Sequence, residues 1–190
     1  LRLAGQSETI AGLISSAAGT GIVENESGAA NTGTLAVEVA AGASYTFSGI
    51  LRNGDGSGTD GVLAFTKKGS GTQILSGTNT YTGDTPVEGG GLQVGAGGAA
   101  GALANGSRVV LAGGSLEINR SNAYAFGNQI TGNGTFVHAG TGITTLSNGT
   151  SNYTGTTEIR SGTVLGGNTS GSATGNSVVD VNGGLLGGTG

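Results

Sequence analysis

An internal repeat is the feature that most constrains how this chain folds. The stretch from Gly69 to Gly95 returns in degenerate form from Gly140 to Gly166. Equivalent residues of the two copies are separated by a nearly constant number of positions. The separation is one residue larger for Tyr81 and Tyr153 than for Gly69 and Gly140, so the later copy has gained a single residue before its tyrosine. A nearly fixed offset with such a small insertion is typical of repeat architectures, in which each unit packs mainly against its neighbours.

Strand patterns dominate the rest of the chain. Short alternations of apolar and polar residues, rich in β-branched types and bounded by Gly, Asn, Asp or Ser, predict β-strands. The predicted strands are 34–39, 44–48, 62–66, 72–76, 85–88, 91–94, 108–111, 115–119, 124–126, 134–138, 143–146, 156–159, 163–165, 177–181 and 185–186. The alanine-rich segment 96–104 is interrupted by three glycines and is predicted to be a loop.

Two all-β arrangements are compatible with such strands. Asn-Gly pairs at Asn53, Asn105, Asn133, Asn148 and Asn182 would suit the turns of a hairpin sandwich. The tandem similarity instead favours a β-solenoid, a coil in which each turn stacks on the last. Roughly 20 to 25 residues a turn, as in known solenoids, would give about eight turns.

We therefore expect one continuous β-solenoid over residues 1–190, with about two superrepeats at approximately 45–115 and 124–186. Since residue 1 is leucine, we also expect the sequence to be cut from a longer chain. The 43 glycines could indicate disorder, but 35% of the residues are hydrophobic and the net charge is only −4. That composition suits an elongated fold with a thin core.

Composition also excludes several classes of function. The absence of cysteine rules out disulfides and thiolate metal sites. Seven scattered Lys and Arg residues form no basic patch, so nucleic acid is not an expected partner. No apolar run is long enough to cross a membrane, and any membrane attachment is expected to use a separate anchor outside this segment.

The first copy of the repeat resembles a known family. Lys68-Gly-Ser-Gly-Thr72 and the stretch from Leu75 to Leu92 are similar to the passenger-associated strand repeat of bacterial autotransporters, and the segments 3–13 and 183–190 resemble its flanks. The resemblance implies a right-handed parallel β-helix that is exported and then displayed or released at the bacterial cell surface. Gln73 departs from the pattern because the family usually has an apolar residue there, and Pro86 falls inside a predicted strand.

The acidic residues suggest one possible site. In a coil, Glu88 with Glu117, or Asp84 with Glu158, could meet on one face, as the two carboxylates of a glycoside hydrolase must. Dispersed surface charges explain the same residues, and we assign no catalytic residue. His138 aligns with Lys67 and is predicted to be an outward polar residue rather than a catalytic one.

Other patterns are interpreted as structural. The segment 53–60 partly mimics a calcium loop but has Ala64 where the twelfth-position Glu would stand, so a glycine-rich turn is predicted and no metal or cofactor is assigned. Phe65 and Phe136 share a repeat position and are expected to stack in the core. The equivalent tyrosines, Tyr81 and Tyr153, could stack there too or form adhesive contacts outside.

The predicted function is that of a non-catalytic stalk, adhesive surface or filament component of a secreted or surface-displayed bacterial protein. Its expected partners are cell-surface glycans or proteins, or copies of itself joined end to end. One alternative is a carbohydrate-active β-helix enzyme. Another is a glycan-binding or surface-binding module that uses a flat face of Thr144, Thr145, Thr156 and Thr157.

Overall fold

The computed structural model describes residues 1–17, 19–26, 31–56 and 60–188. Their regular secondary structure is entirely β, and none of these residues lies in a helix that could cross a membrane. The strands are β1 Ser7–Ile10, β2 Ile22–Glu24, β3 Thr32–Glu38, β4 Ser44–Phe47, β5 Ile50–Arg52, β6 Val62–Lys68, β7 Thr72–Leu75, β8 Thr85–Val87, β9 Gly91–Val94, β10 Val109–Leu111, β11 Ser115–Ile118, β12 Tyr124–Phe126, β13 Ile130–Gly132, β14 Thr135–His138, β15 Ile143–Leu146, β16 Thr156–Ile159, β17 Thr163–Gly166, β18 Val178–Val181 and β19 Leu185–Gly188.

The strands stack into parallel sheets that run along the coil. A six-strand sheet has the order β1-β3-β6-β8-β10-β13, a seven-strand sheet β4-β7-β9-β11-β14-β16-β18, and a four-strand sheet β12-β15-β17-β19. Strands β2 and β5 form a fourth, short sheet. Because consecutive strands fall in different sheets and every strand pair is parallel, the chain is a parallel β-solenoid, and the hairpin alternative is wrong.

The length of a turn varies along the coil. A short turn separates Thr72 from its stacked partner Gly91, whereas the turn from Thr32 to its partner Val62 is half as long again. The long turns lie at the N-terminal end, and the later ones agree with the length predicted from known solenoids. The right-handed sense of the coil and the superrepeat bounds at 45–115 and 124–186 stay predictions.

The core is a narrow column inside the coil. Alternate strand residues point inward, so that β7, β9, β11 and β16 each bury their second and fourth positions. In the seven-strand sheet, Leu75, Val94 and Ile118 lie in register above one another and are completely buried. This column of small and medium side chains is why few aromatic residues suffice for the core.

The sequence repeat does not place equivalent residues on the same face of the coil. Phe65 belongs to β6 in the six-strand sheet, whereas its counterpart Phe136 belongs to β14 in the seven-strand sheet. Likewise β7 lies in the seven-strand sheet and the equivalent β15 in the four-strand sheet. Between a residue of the first copy and its equivalent in the second, the chain therefore completes whole turns of the coil and then continues to the next face.

This rotation corrects the expected aromatic stacking. Phe65 and Phe136 are buried as predicted, but they lie in different sheets and do not pair. Phe65 packs instead against Tyr81, with ring centroids 6.5 Å apart, and Phe136 packs against Phe126 at 6.3 Å. Each ring thus finds a partner within its own part of the coil.

The predicted strands are all present, within one or two residues at their ends. The strands missed are β1, β2, β5 and β13. Three of them contain only three residues, and β1 has a single apolar residue, Ile10, so none shows an alternating pattern. Their pairing with neighbouring turns stabilises them instead.

The two departures from the family pattern have local explanations. The Gln73 side chain points inward and is buried, and its amide bonds both the N–H and the carbonyl of Leu13, at 3.0 and 2.9 Å. Pro86 is the middle residue of β8, inside the six-strand sheet. The N–H that proline lacks would face β6, and β6 and β8 share only the pair Lys67–Val87, so little pairing is lost.

Candidate functional site

The outer surface of the seven-strand sheet carries a regular row of hydroxyl groups. Thr72 pairs with Gly91, Gly91 with Ser115, and Ser115 with Thr135. Thr156 continues the line, because the next residue, Thr157, pairs with Phe136. We call Thr72, Ser115, Thr135 and Thr156 the hydroxyl row; all four are partly exposed, and adjacent strands stand about 4.8 Å apart.

Gly91 is the one gap in the hydroxyl row. A Cβ atom at this position would lie 3.2 Å from the Thr72 hydroxyl and 3.7 Å from the Ser115 hydroxyl. The row therefore has room for a small side chain at Gly91, at the cost of a slight adjustment of Thr72. Ser44 of β4, which is exposed and pairs with Thr72, extends the line beyond the row, so hydroxyls stand on two successive strands, are missing at Gly91, and then stand on three.

A second outward row runs parallel to the first, two residues further along each strand. Gln93 pairs with Glu117, Glu117 with Val137, Val137 with Glu158, and Glu158 with Asp180. We call Glu117, Glu158 and Asp180 the acidic row. The surface therefore presents hydroxyls along one side and carboxylates along the other.

Arg160 neutralises part of the acidic row. Its guanidinium lies 2.9 Å from Glu158 and 3.4 Å from Glu117. Partial burial raises the pKa of the Glu117 carboxyl, whereas the hydrogen bond from Arg160 lowers the pKa of Glu158. The two carboxylates thus differ in proton affinity although they share one cation.

Neither predicted carboxylate pair is held together by a shared partner. Glu88 lies 3.7 Å from Lys68, and Asp84 lies 2.6 Å from Arg108. Glu117 and Glu158 share Arg160 instead, an arrangement that the sequence did not suggest. Glu117 precedes the second copy of the repeat, and the rotation of that copy by one face places Glu158 in the same sheet as Glu117.

The predicted threonine face is wrong. Thr144 and Thr157 are buried in the core, and Thr157 bonds the Tyr153 and Ser177 hydroxyls. Thr145 and Thr156 do face outward, but they lie in the four-strand and seven-strand sheets respectively. The strand alternation separates neighbouring threonines onto opposite sides of a sheet.

The tyrosines of the repeat are also internal. Tyr81 and Tyr153 have no exposed surface, and their hydroxyls bond Thr85 and Thr157. Burial raises the pKa of both phenols, so they stay protonated at physiological pH. An adhesive role for these rings is therefore excluded by their position.

His138 and Lys67 are inside the coil, which corrects the predicted outward position. The Lys67 ammonium donates to the carbonyls of Lys68, Gly69 and Gly89, at 2.6, 3.0 and 3.2 Å. His138 Nε2 lies 3.3 Å from the Gly142 carbonyl, and its Nδ1 has no partner among the described residues. Burial lowers the pKa of both groups. The alignment of the two residues was correct, but it marks an inner corner position that bonds turn carbonyls.

The calcium-like segment 53–60 is only partly described, because residues 57–59 lie outside the described ranges. Within it, the Asn53 carboxamide oxygen accepts the N–H groups of Leu63 and Thr82, and Asp60 accepts that of Gly56. Across the described ranges, no group of three or more His, Asp or Glu side chains is placed to hold a metal ion.

A shallow groove lies next to β12. It is lined by Thr78, Thr80, Tyr124 and the turn from Ala102 to Asn105. The Arg120 guanidinium stacks on the Tyr124 ring, 4.5 Å from its centroid, and bonds the carbonyls of Ala99 and Gly101. The loop 96–104, predicted from its glycines, thus forms one wall of this groove.

Sequence reasoning missed the hydroxyl row, although a signal was present. Each of its members directly follows a glycine at the start of a strand, as in Gly71-Thr72, Gly114-Ser115, Gly134-Thr135 and Gly155-Thr156. The same pattern occurs at Gly162-Thr163 in the four-strand sheet. The dipeptide therefore identifies outward strand starts but cannot assign them to a common sheet.

Comparisons with known proteins support the repeat. The family profile described as Passenger-associated-transport-repeat matches residues 65–94 and 136–165, two segments that coincide with the two copies. The Adhesin BmaC autotransporter of Brucella suis biovar 1 (strain 1330) is 34% identical over 145 residues, which cover 70% of this chain and 4% of the adhesin. The chain is thus matched to a small part of that relative's length. No solved structure matches the chain.

Proposed function

The chain carries two passenger-associated transport repeats and is a passenger segment of the autotransporter type, exported to the bacterial cell surface; we propose that it acts there as a non-catalytic adhesive stalk. In this proposal the solenoid supplies length and stiffness. The outer surface of the seven-strand sheet supplies the contact surface.

The hydroxyl row is the observation that supports this contact surface. Its four hydroxyls project from one parallel sheet at multiples of about 4.8 Å, so a ligand can meet them without ordering any loop. Hydroxyls both donate and accept hydrogen bonds, as the hydroxyls of a glycan do. The neighbouring acidic row would favour neutral or cationic ligands over anionic ones.

A row-specific variant tests this proposal. Thr72, Thr135 and Thr156 are changed to Val and Ser115 to Ala, which removes the hydroxyls and preserves side-chain size. The matched control changes Thr145 and Thr163 to Val, since these partly exposed residues lie in the four-strand sheet. Binding to a glycan array and to cultured host cells should fall in the row variant and persist in the control.

Equal binding by both variants would contradict the row as the contact surface. A circular dichroism spectrum and a thermal melt of each variant separate loss of binding from loss of folding. Loss of binding in the control alone would assign adhesion to the four-strand sheet instead.

End-to-end association is a further part of the proposed role. In the isolated segment, Val178 and Leu185, in β18 and β19, are 70% and 67% exposed, and both strands have an unpaired edge among the described residues. Unpaired parallel edges with apolar side chains are templates for further strands. Analytical ultracentrifugation should detect concentration-dependent association, which Val178→Lys with Leu185→Lys should abolish. A wild-type chain that stays monomeric throughout would contradict self-association.

A carbohydrate-active enzyme is the second candidate function, and Glu117 and Glu158 favour it. They lie two strands apart in register, roughly 9 to 10 Å by strand spacing, close to the separation in inverting glycosidases. Their pKa values are also shifted in opposite directions, as an acid and base pair requires. Because Arg160 occupies both carboxylates, we place this function second. Polysaccharide cleavage that disappears in Glu117→Gln or Glu158→Gln would establish it.

A further inference from the structure

The five Asn-Gly pairs of this chain differ in their chemical environment. In such a pair, the glycine main-chain nitrogen can attack the asparagine Cγ, forming a five-membered succinimide and releasing ammonia. Water then opens the ring to aspartate or isoaspartate, so the net reaction converts an amide and water into a carboxylic acid and ammonia. The reaction requires a free asparagine side chain and a glycine N–H that can be deprotonated.

In two of the pairs, hydrogen bonds fix the asparagine side chain. The Asn53 oxygen accepts the N–H groups of Leu63 and Thr82, and its Nδ2 donates to the Thr82 hydroxyl at 2.8 Å. The Asn148 oxygen accepts from the N–H and the hydroxyl of Thr150, and its Nδ2 donates to the Gly127 carbonyl. These bonds must break before Cγ can turn toward the attacking nitrogen.

In two other pairs, a hydrogen bond engages the glycine N–H, whose nitrogen is the attacking atom. The N–H of Gly134, after Asn133, donates to the Leu111 carbonyl at 3.0 Å. The N–H of Gly183, after Asn182, donates to the Ile159 carbonyl at 3.2 Å. A nitrogen engaged in this way is a poorer nucleophile and is fixed in the ladder of the coil.

Neither restraint is present at Asn105. It is exposed in a turn and its side chain has no hydrogen bond among the described residues; the Gly106 N–H has none there either. Gly106 has open space around its Cα, because an added Cβ would meet nothing within 4 Å. We propose that Asn105 is a spontaneous deamidation site of the folded chain.

The position of Asn105 gives this modification a consequence. Asn105 lines the groove that also contains Thr78, Thr80 and Tyr124. Deamidation places a carboxylate at this groove and changes the formal net charge from −4 by one further negative unit. Residues on either side remain anchored, since Asn128 Nδ2 donates to the carbonyls of Ala104 and Ser107, both at 2.7 Å. The groove therefore gains negative charge as the protein ages at the cell surface.

Ageing the purified chain at mildly alkaline pH and physiological temperature tests the proposal. Peptide mapping by mass spectrometry measures conversion at each pair, and isoaspartate methylation identifies the succinimide route. Asn105 should deamidate at least about tenfold faster than Asn53 or Asn148, because one lost hydrogen bond is worth roughly 1.4 kcal/mol, a factor of ten in rate.

Two controls separate the fold from the local sequence. In the urea-denatured chain, all five pairs should react at similar rates, since the protecting bonds are absent. Asn105→Gln should abolish the signal at this turn and leave the melting temperature unchanged. The proposal would be overturned if Asn105 deamidated no faster than Asn53 or Asn148 in the folded chain.

Discussion

The hydroxyl of Tyr81 lies 2.7 Å from the hydroxyl of Thr85, and both side chains are completely buried. The second repeat forms the same contact between Tyr153 and Thr157, on the next face of the coil. The repeat thus preserves a polar pair inside the core. It does so although the two copies face different directions.

Tyr81→Phe should destabilise the coil by about 1–3 kcal/mol, because the Thr85 hydroxyl loses its buried partner. Thr85→Val should lower the free energy of unfolding by a similar amount, because the Tyr81 hydroxyl then loses its buried partner. The double variant should cost less than the sum, and urea denaturation of all four proteins measures the coupling. Strictly additive losses would mean that the two hydroxyls do not interact.

Gln73 should anchor the N-terminal segment to the core. Gln73→Leu removes the bonds to the N–H and carbonyl of Leu13 and should increase amide hydrogen exchange at Leu13. The matched control is Gln93→Leu, in the adjacent strand, because Gln93 faces outward. Unchanged exchange at Leu13 in the Gln73 variant would show that the segment is held by other contacts.

The glycines at the inner corners should resist substitution. Gly90 and Gly162 have φ angles of 59° and 64°, and an added Cβ would lie 2.3 Å from the Gly71 carbonyl oxygen and 2.4 Å from that of Gly140, respectively. Alanine at either position should cost more than about 2 kcal/mol, since backbone strain and a backbone clash combine.

Gly98→Ala is the control for these substitutions. Gly98 is exposed and has open space around its Cα, so alanine should change the unfolding midpoint little. Thermal melts of the three variants give the comparison. A Gly90→Ala protein as stable as Gly98→Ala would contradict the tight corner.

His138 should make stability fall on acidification. Burial lowers the pKa of His138 in the folded chain below the ordinary value of 6.5, although the Gly142 carbonyl partly opposes this. Below that ordinary value the unfolded chain binds the proton more readily than the folded chain, so this contribution is lost as pH falls through about 6.5. Urea midpoints measured from neutral pH to about pH 5 should decrease less steeply for His138→Leu than for the natural chain. If the urea midpoints of the two proteins decreased equally with pH, His138 would be excluded as the group responsible.

The fold was predictable from the sequence because local patterns and the repeat agree. Alternation in 72–76, 91–94 and 156–159 marks strands whose inward positions are buried in the structure. Strands β5 and β13 were missed because their three residues show no alternating pattern, and stacking on adjacent turns stabilises them instead. The family resemblance supplied the parallel arrangement, and the strand pairing confirms it.

The candidate site was less predictable because it depends on the length of each turn. The hydroxyl row joins Thr72 to Thr156 through four successive turns, each of a different length that its loops set. Thr144 and Thr145 look equivalent in the sequence, yet only Thr144 is buried. The burial of His138 was missed because its alignment with the charged Lys67 indicated an outward position, whereas both side chains are buried and bond carbonyls inside the coil.

The distance between Thr72 and Thr156 tests the stacked coil and its hydroxyl row most directly. The chain has no cysteine, so Thr72→Cys with Thr156→Cys gives a clean pair for spin labelling. Four strand spacings separate the two positions, and double electron–electron resonance should give a narrow distribution centred at about 19 Å, broadened by the label tethers. A broad distribution, or one centred well beyond about 25 Å, would contradict the stack of turns on which the proposed contact surface depends.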